Sequence, residues 1–236
     1  MKRPKYGAAI RPYAGFCHRT NTLISSPFRI SHRSLESIRQ DAKTWVESQN
    51  QGGEIRRASY ASLTREAIYN LHASADLHAA TTYLLRRLAG AHLKNSKRYQ
   101  EAELELAAYS SWRDQAGPGI GLSWRFRCSY PLTKGVVLVG EISRVDVDLA
   151  RDEYHAILLG PAPEDWPVSL RFPLLQRVVA TAFSRDEATV RIGIQNLDGS
   201  GLTISPPSSA PQIDAAERKV RHLAKRVLQL VAAGAP

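Results

Sequence analysis

"VVLVGEISRVDVDLARDEYHAILLG", residues 136–160, decides how this chain folds. β-Branched residues crowd the first arm, apolar residues fill the end of the second and charged residues crowd the middle. That predicts a strand over 135–149, a polar turn at Ala150–Glu153 and a second strand ending at Gly160. Upstream, "GLSWRFRCSYPL" alternates strictly. Leu122, Trp124, Phe126 and Cys128 share one face, with Ser123, Arg125, Arg127 and Ser129 on the other. This is a half-buried strand with a basic outer face. Three consecutive strands therefore form a meander.

Working outward, the period changes to that of helices. "SLRFPLLQRVVATAFSR" reads as a helix, "ATVRIGIQNL" as a fourth strand and "DAAERKVRHLAKRVLQLVAAG" as an amphipathic helix. That last helix presents Arg218, Lys219, Arg221, Lys225 and Arg226 outward. Before the meander, "SHRSLESIRQDAKTWVESQ" is helical. "SLTREAIYNLHASADLHAATTYLLRRLAGAHL" is one long helix or two end to end, with Ser62 as its cap, and "YQEAELELAAYSSWRD" is a further helix. The sum is an α/β (α+β) fold: a central mixed sheet of about four to five strands flanked by helices, behind a helical N-terminal half. Residues 1–30 read as an extended basic and aromatic arm. Residues 31–200 read as one domain, helical over 31–116 and sheet-forming over 120–200. Residues 201–212 read as a flexible linker, and 213–233 as a helix packing on the domain.

Charge points to a partner class. The chain of 236 residues has a net charge of +10, and residues 1–100 hold 17 Lys and Arg against 6 Asp and Glu. A lopsided basic surface attracts polyanions, of which nucleic acid is the commonest, although an acidic protein would also fit. Cys17 and Cys128 stand far apart and make no zinc knuckle. No signal peptide or long apolar run is visible, which predicts a cytoplasmic protein without a membrane partner.

"LVGEISRVDVD", with Gly140, Ile142, Arg144 and Asp146, resembles the second strand of the PD-(D/E)XK nucleases, especially the RecB-like branch that includes CRISPR-associated exonucleases. "LRFPLLQRVVAT", with Gln176, stands where that family has a glutamine helix. The resemblance spans roughly residues 31–230 and implies a restriction-endonuclease-like sheet, with a metal-binding histidine in the helical region. It also implies two carboxylates for Mg²⁺ and a lysine near the attacking water. Here the first carboxylate would fall at Ser143, and the second carboxylate and the lysine near Ile157 and Leu159. Those side chains cannot hold a metal, so the expected catalytic and metal residues are none. The expected cofactor is none, with Mg²⁺ only if a migrated site exists at Asp146, Glu153 and His155. His72 or His78 would be the remnant of the helical histidine, and His72 with Asp76 could share a metal-binding face.

The expected function is a non-catalytic, nuclease-like protein that binds DNA or RNA, or an accessory subunit of a defence, repair or recombination complex. The candidate phosphate contacts are Arg86, Arg87, Lys94, Lys97 and Arg98 as one cluster, Arg125 and Arg127 as a stripe, and Arg144 beside the emptied site. The alternatives are an active Mg²⁺-dependent nuclease, an RNA-binding subunit of a CRISPR-type ribonucleoprotein, and a protein–protein adaptor.

Overall fold

Six strands form one mixed sheet among the described residues: β1 (Phe28–Ser31), β2 (Ile120–Thr133), β3 (Val136–Asp148), β4 (Glu153–Leu159), β5 (Val190–Gln195) and β6 (Leu202–Ile204). Seven α-helices accompany them: α1 (Leu35–Gln40), α2 (Ala42–Asn50), α3 (Tyr60–Ser74), α4 (Leu77–Gly90), α5 (Ser96–Gln115), α6 (Arg171–Phe183) and α7 (Ala210–Ala232). This computed structural model describes residues 27–50, 59–91, 96–115, 120–160, 169–197 and 201–234.

The sheet is organised by β3. Its one edge pairs antiparallel with β2 over most of its length. Its other edge is divided: β1 runs parallel to residues 136–139, and β4 runs antiparallel to residues 144–148. β5 continues parallel to β4, and β6 closes the far side antiparallel to β5. Residues 140–143 therefore face a gap between two partner strands.

Burial follows from this arrangement. Val136 and Leu138 pack with α1, α2 and α7, while Ile142, Val145 and Val147 pack with α6. The inward positions change from even to odd between Ile142 and Val145. Opposite this switch, Arg125 has φ +56°, a left-handed conformation that costs a non-glycine residue on the order of 1 kcal/mol. The alternation expected for β2 fails nearby. A register shift between Gly121 and Ser123 leaves Leu122 outside the ladder, and both Leu122 and Trp124 are exposed. The third core joins α3, α4 and α5 to Leu159 and Leu197 at the ends of the central strands.

Short polar side chains decide where the helices stop. The expected long helix is two, α3 and α4, because Ala75 turns left-handed (φ +56°) and Asp76 caps α4 by accepting from His78 and Ala79 N–H. α3 starts at a capping box in which Ser59, not Ser62, is the cap and Ser62 bonds back to it. Asp41 separates α1 from α2 and accepts from Lys43 and Thr44 N–H.

The sheet has six strands rather than four to five because β1 and β6 span only four and three residues, too short for a period to show. The segment read as a linker at 201–212 contains β6 and the start of α7. Ser205 N–H and its hydroxyl both donate to Ile192 O. Of the expected N-terminal arm, residues 1–26 lie outside the described residues and Phe28–Ser31 is β1. No helix among the described residues is long and apolar enough to cross a membrane.

Candidate anion-binding pocket

The turn that follows β1 lies over the gap beside Gly140–Ser143. His32, in a 3-10 turn directly after β1, lies against Gly140 so closely that a Cβ there would sit 2.3 Å from the ring Cδ2. The imidazole is 2% exposed, and its Nδ1 is buried without a hydrogen-bond partner among the described residues. Burial first, then repulsion by Arg33 and Arg171, pushes its pKa down to about 3, so the ring is neutral at physiological pH.

Ser143 plays a backbone role. Its hydroxyl accepts a hydrogen bond from Leu159 N–H at 3.2 Å, pinning the end of β4 where its ladder with β3 has stopped. Ile157 sits opposite Arg144 in register, and Leu159 is buried against the α3–α5 core. The three positions assigned by resemblance to the carboxylates and the lysine thus hold a hydroxyl and two aliphatic side chains.

A pocket of about 430 Å³ opens at this point, over the C-terminal ends of the parallel strands β4 and β5. Its sheet side is Leu158, Leu159, Gly160, Ile194, Asn196 and Leu197, with His32 beside them. Its charged wall comes from three elements: Arg33 from the 3-10 turn, Arg65 from α3 and Arg171 from the first position of α6. Glu105 of α5 is the acidic side chain in the lining. Partial burial, followed by repulsion from Arg65 and Arg171, lowers the Arg33 pKa from its ordinary value. Among the described residues, neither Arg33 nor Arg65 is ion-paired to a carboxylate.

Glu141 borders this centre but is already engaged. It accepts from Arg125 Nε at 2.8 Å and Tyr69 hydroxyl at 3.1 Å, and it lies 3.7 Å from Arg127 Nε. Burial pushes the Tyr69 phenol up to about 12. No group of three His, Cys, Asp or Glu side chains among the described residues could hold a metal ion. A centre walled by arginines and leucines does not fit Mg²⁺, which binds through carboxylates and water.

The migrated site is also committed elsewhere. Arg191 holds Glu153 in a two-pronged ion pair at 2.6 and 2.5 Å, and Arg144 Nε holds Asp146 at 2.7 Å. His155 lies 3.4 Å from Glu153. The Arg191 hydrogen bonds lower the Glu153 pKa from 4.5 to about 2. Its contribution to stability is therefore complete above pH 4.5 and is lost as pH falls toward 2. Thermal melts of the parent should show this loss between pH 4.5 and 2. Glu153→Gln should be less stable at pH 7 and flatter across that window; a parallel pair of curves would refute the linkage.

The other candidate residues are scattered. Arg86 is exposed on α4, and Arg87 pairs with Glu66 at 3.1 Å. Lys97 and Arg98 are exposed at the start of α5, and Arg98 pairs with Glu101 at 2.7 Å. Lys94 lies outside the described residues. Arg98 lines a second groove that shares Ala61 and Glu105 with the arginine pocket. Arg125 and Arg127 do come together, on Glu141. Arg144 differs from its expected position beside the emptied site: it is 2% exposed and turned toward α5. There it donates to Tyr109 hydroxyl at 2.6 Å and stacks 4.3 Å from the Trp112 ring.

Of the two helical histidines, His72 stacks on Trp124 at 3.5 Å and hydrogen-bonds Tyr109 hydroxyl at 2.8 Å, while His78 is exposed on α4; Asp76 is the α4 cap. Gln176 is buried in α6, where it donates to Glu187 O and Ser208 O and accepts from Ser208 N–H. Sequence reasoning missed His32, Arg33, Arg65 and Arg171. The only signals for them were the basic surplus of the first half and the expectation of a histidine in the helical region.

No family model matches the chain, and no curated protein does. Among solved structures, the crystal structure of SSO0001 is similar over 83% of this chain and 85% of its own, with 12% identity and a TM-score of 0.32. A likeness that weak carries no argument about fold or function.

Proposed function

We propose that this chain is a non-catalytic, nuclease-like protein that binds nucleic acid, on its own or as a subunit of a nucleic-acid-processing complex. One observation carries the reading. Arg33, Arg65 and Arg171 line a pocket at the C-terminal ends of β4 and β5, beside Leu159, which the PD-(D/E)XK resemblance sets near the lost lysine. Open α/β sheets bind ligands at that end of their strands, and planar guanidinium groups suit phosphate oxygens. A nuclease centre holds cations with acids; a pocket lined by arginines can grip a phosphate, and no set of acids able to hold a metal ion stands among the described residues.

The test is fluorescence anisotropy with labelled single-stranded DNA and RNA across roughly 50–200 mM salt. The Arg33→Ala/Arg65→Ala variant should bind about tenfold or more weakly, with a salt slope shallower by roughly one unit. Replacing Arg86, Arg87, Lys97 and Arg98 with Ala should weaken binding further if the outer cluster also lies on the path. Parent protein that binds neither polymer would end the reading. Cleavage that requires Mg²⁺ and stops with EDTA would show an enzyme instead.

A further inference from the structure

We propose that the outer face of α7 is a docking surface for the sugar–phosphate backbone of duplex nucleic acid. This rests on the nucleic-acid reading above and adds a second contact, separate from the arginine pocket.

The helix sorts its side chains by charge. Ala216, Val220, Leu223, Ala224 and Val227 are buried in one core with α1, α2 and the start of β3. The two acids are engaged with neighbouring side chains. Glu217 accepts from Arg177, Tyr130 and Arg221, and Asp214 accepts from Arg177 at 2.7 Å. The exposed positions from 218 to 229 hold no acid. Arg218, His222, Lys225 and Gln229 form one row at helical spacing, flanked by Lys219 and Arg226. Arg221 stands at the margin of this face, tied to Glu217 and to Leu132 O.

Neither the helix dipole nor ion pairing accounts for these cations. They occupy the middle turns of a 23-residue helix whose last turn has no basic residue, so they do not serve its C-terminal end. Arg218, Lys219, Lys225 and Arg226 are ion-paired to no carboxylate among the described residues. Asp41, at the junction of α1 and α2, feels the charge of Arg226, but its oxygens accept from Lys43 N–H and from Thr44. Arg218 and Arg221 are three apart, and Arg221 and Lys225 four apart, so like charges adjoin along the helix. A polyanion laid on the face relieves that repulsion.

The chemistry of the face selects the occupant. Protein interfaces centre on aromatic and apolar anchors, and the exposed positions from 218 to 229 offer none. A helix that lies on a bilayer inserts its apolar side, which here is already buried in the core. Single strands are held by stacking their bases on aromatic rings, and α7 has no Phe, Tyr or Trp. A duplex backbone needs only a rigid row of cations. At about 1.5 Å per residue, Arg218 to Arg226 spans about 12 Å, and a duplex places one negative charge per roughly 1.7 Å of its axis. Contacts of this kind supply affinity without sequence choice. The face also leads toward the pocket. Lys219 lines a groove with Ser169, Leu170 and Pro173, the turn of α6 from which Arg171 lines the arginine pocket.

The experiment measures anisotropy with a labelled duplex of about 24 base pairs and with an oligothymidine of the same length, across a salt titration. Arg218→Gln/Lys225→Gln should weaken duplex binding about tenfold or more and make its salt slope shallower by about two units, since each phosphate contact contributes roughly 0.9. Oligothymidine binding should fall by much less. Arg151→Gln/Arg185→Gln removes the same charge from two exposed arginines paired to Asp148 and Asp152, and it should leave duplex binding within about twofold of the parent. All these side chains are exposed, so melting curves should match the parent's. Duplex binding unchanged in the α7 variant, or equal losses in the α7 and control variants, would overturn the docking surface and leave the nucleic-acid reading standing. So would a parent that binds oligothymidine but not the duplex. Tighter binding to polyglutamate or to phosphatidylserine vesicles than to the duplex, lost in the α7 variant, would give the face to an acidic protein or a membrane and overturn the proposal. A parent that binds no nucleic acid would end both readings.

Discussion

Asp146→Ala is expected to destabilise the fold by about 3 kcal/mol, because it strands a buried guanidinium. Arg144 is 2% exposed, with its Nε on Asp146, its Nη1 on Tyr109 and its Nη2 buried without a partner. Breaking a buried pair by removing one member commonly costs about 3–5 kcal/mol; the lower figure applies because the Asp146 side chain is 21% exposed and water can reach the space it leaves. For a chain of this size the melting temperature falls by roughly 2–4 °C per kcal/mol. Arg144→Met should cost less than Asp146→Ala, since it fills similar space and leaves no cation behind. Urea unfolding at pH 7 measures both. An Asp146→Ala protein within about 1 kcal/mol of the parent would show that Arg144 finds another counter-charge or reaches solvent.

Gly140→Ala is expected to cost about 1–3 kcal/mol through a clash with His32. The added Cβ would lie 2.3 Å from His32 Cδ2 and 3.2 Å from Cys128 Sγ, in a position that needs no unusual backbone angle. The ring cannot move aside cheaply, because it is buried between the sheet and the arginine wall. His32→Ala removes the obstacle, so the double variant should be less destabilised than the sum of the two singles by more than 1 kcal/mol. Simple additivity would mean that the clash is relieved by backbone shift instead. The pair also links stability to binding. Gly140→Ala should weaken binding in the arginine pocket, because a displaced His32 intrudes on its floor.

The sheet was readable because β3 is long and rich in β-branched residues, so a period of two shows on either side of the switch between Ile142 and Val145. The family resemblance assigns Ser143 and Leu159 to one centre, and a hydrogen bond from Leu159 N–H to the Ser143 hydroxyl joins them. The arginine pocket was not readable. Its three cations come from a 3-10 turn, the second turn of α3 and the first residue of α6, and no spacing along the chain relates them. Arg144 misled for the opposite reason. It lies within the most legible motif, but the switch of inward positions on β3 carries its side chain to the α5 side. The sequence offers histidines on the long helical pattern, whereas the histidine lining the pocket, His32, precedes α1.

The divided edge of β3 has a consequence for the order of assembly. The β2–β3–β4 meander pairs residues close in sequence, while β1 must bring Phe28 to Val136 across the whole helical half. Pairings that close so long a loop form late and open early. His32 and Arg33 ride on the end of β1, so they reach the pocket only once that strand has docked. Partial release of β1 would remove two of the pocket's side chains while the rest of the sheet stayed paired. Hydrogen exchange at Ile30 and Ser31, compared with Ile142 and Val145, would time that event, and a ligand held by Arg33 would slow it.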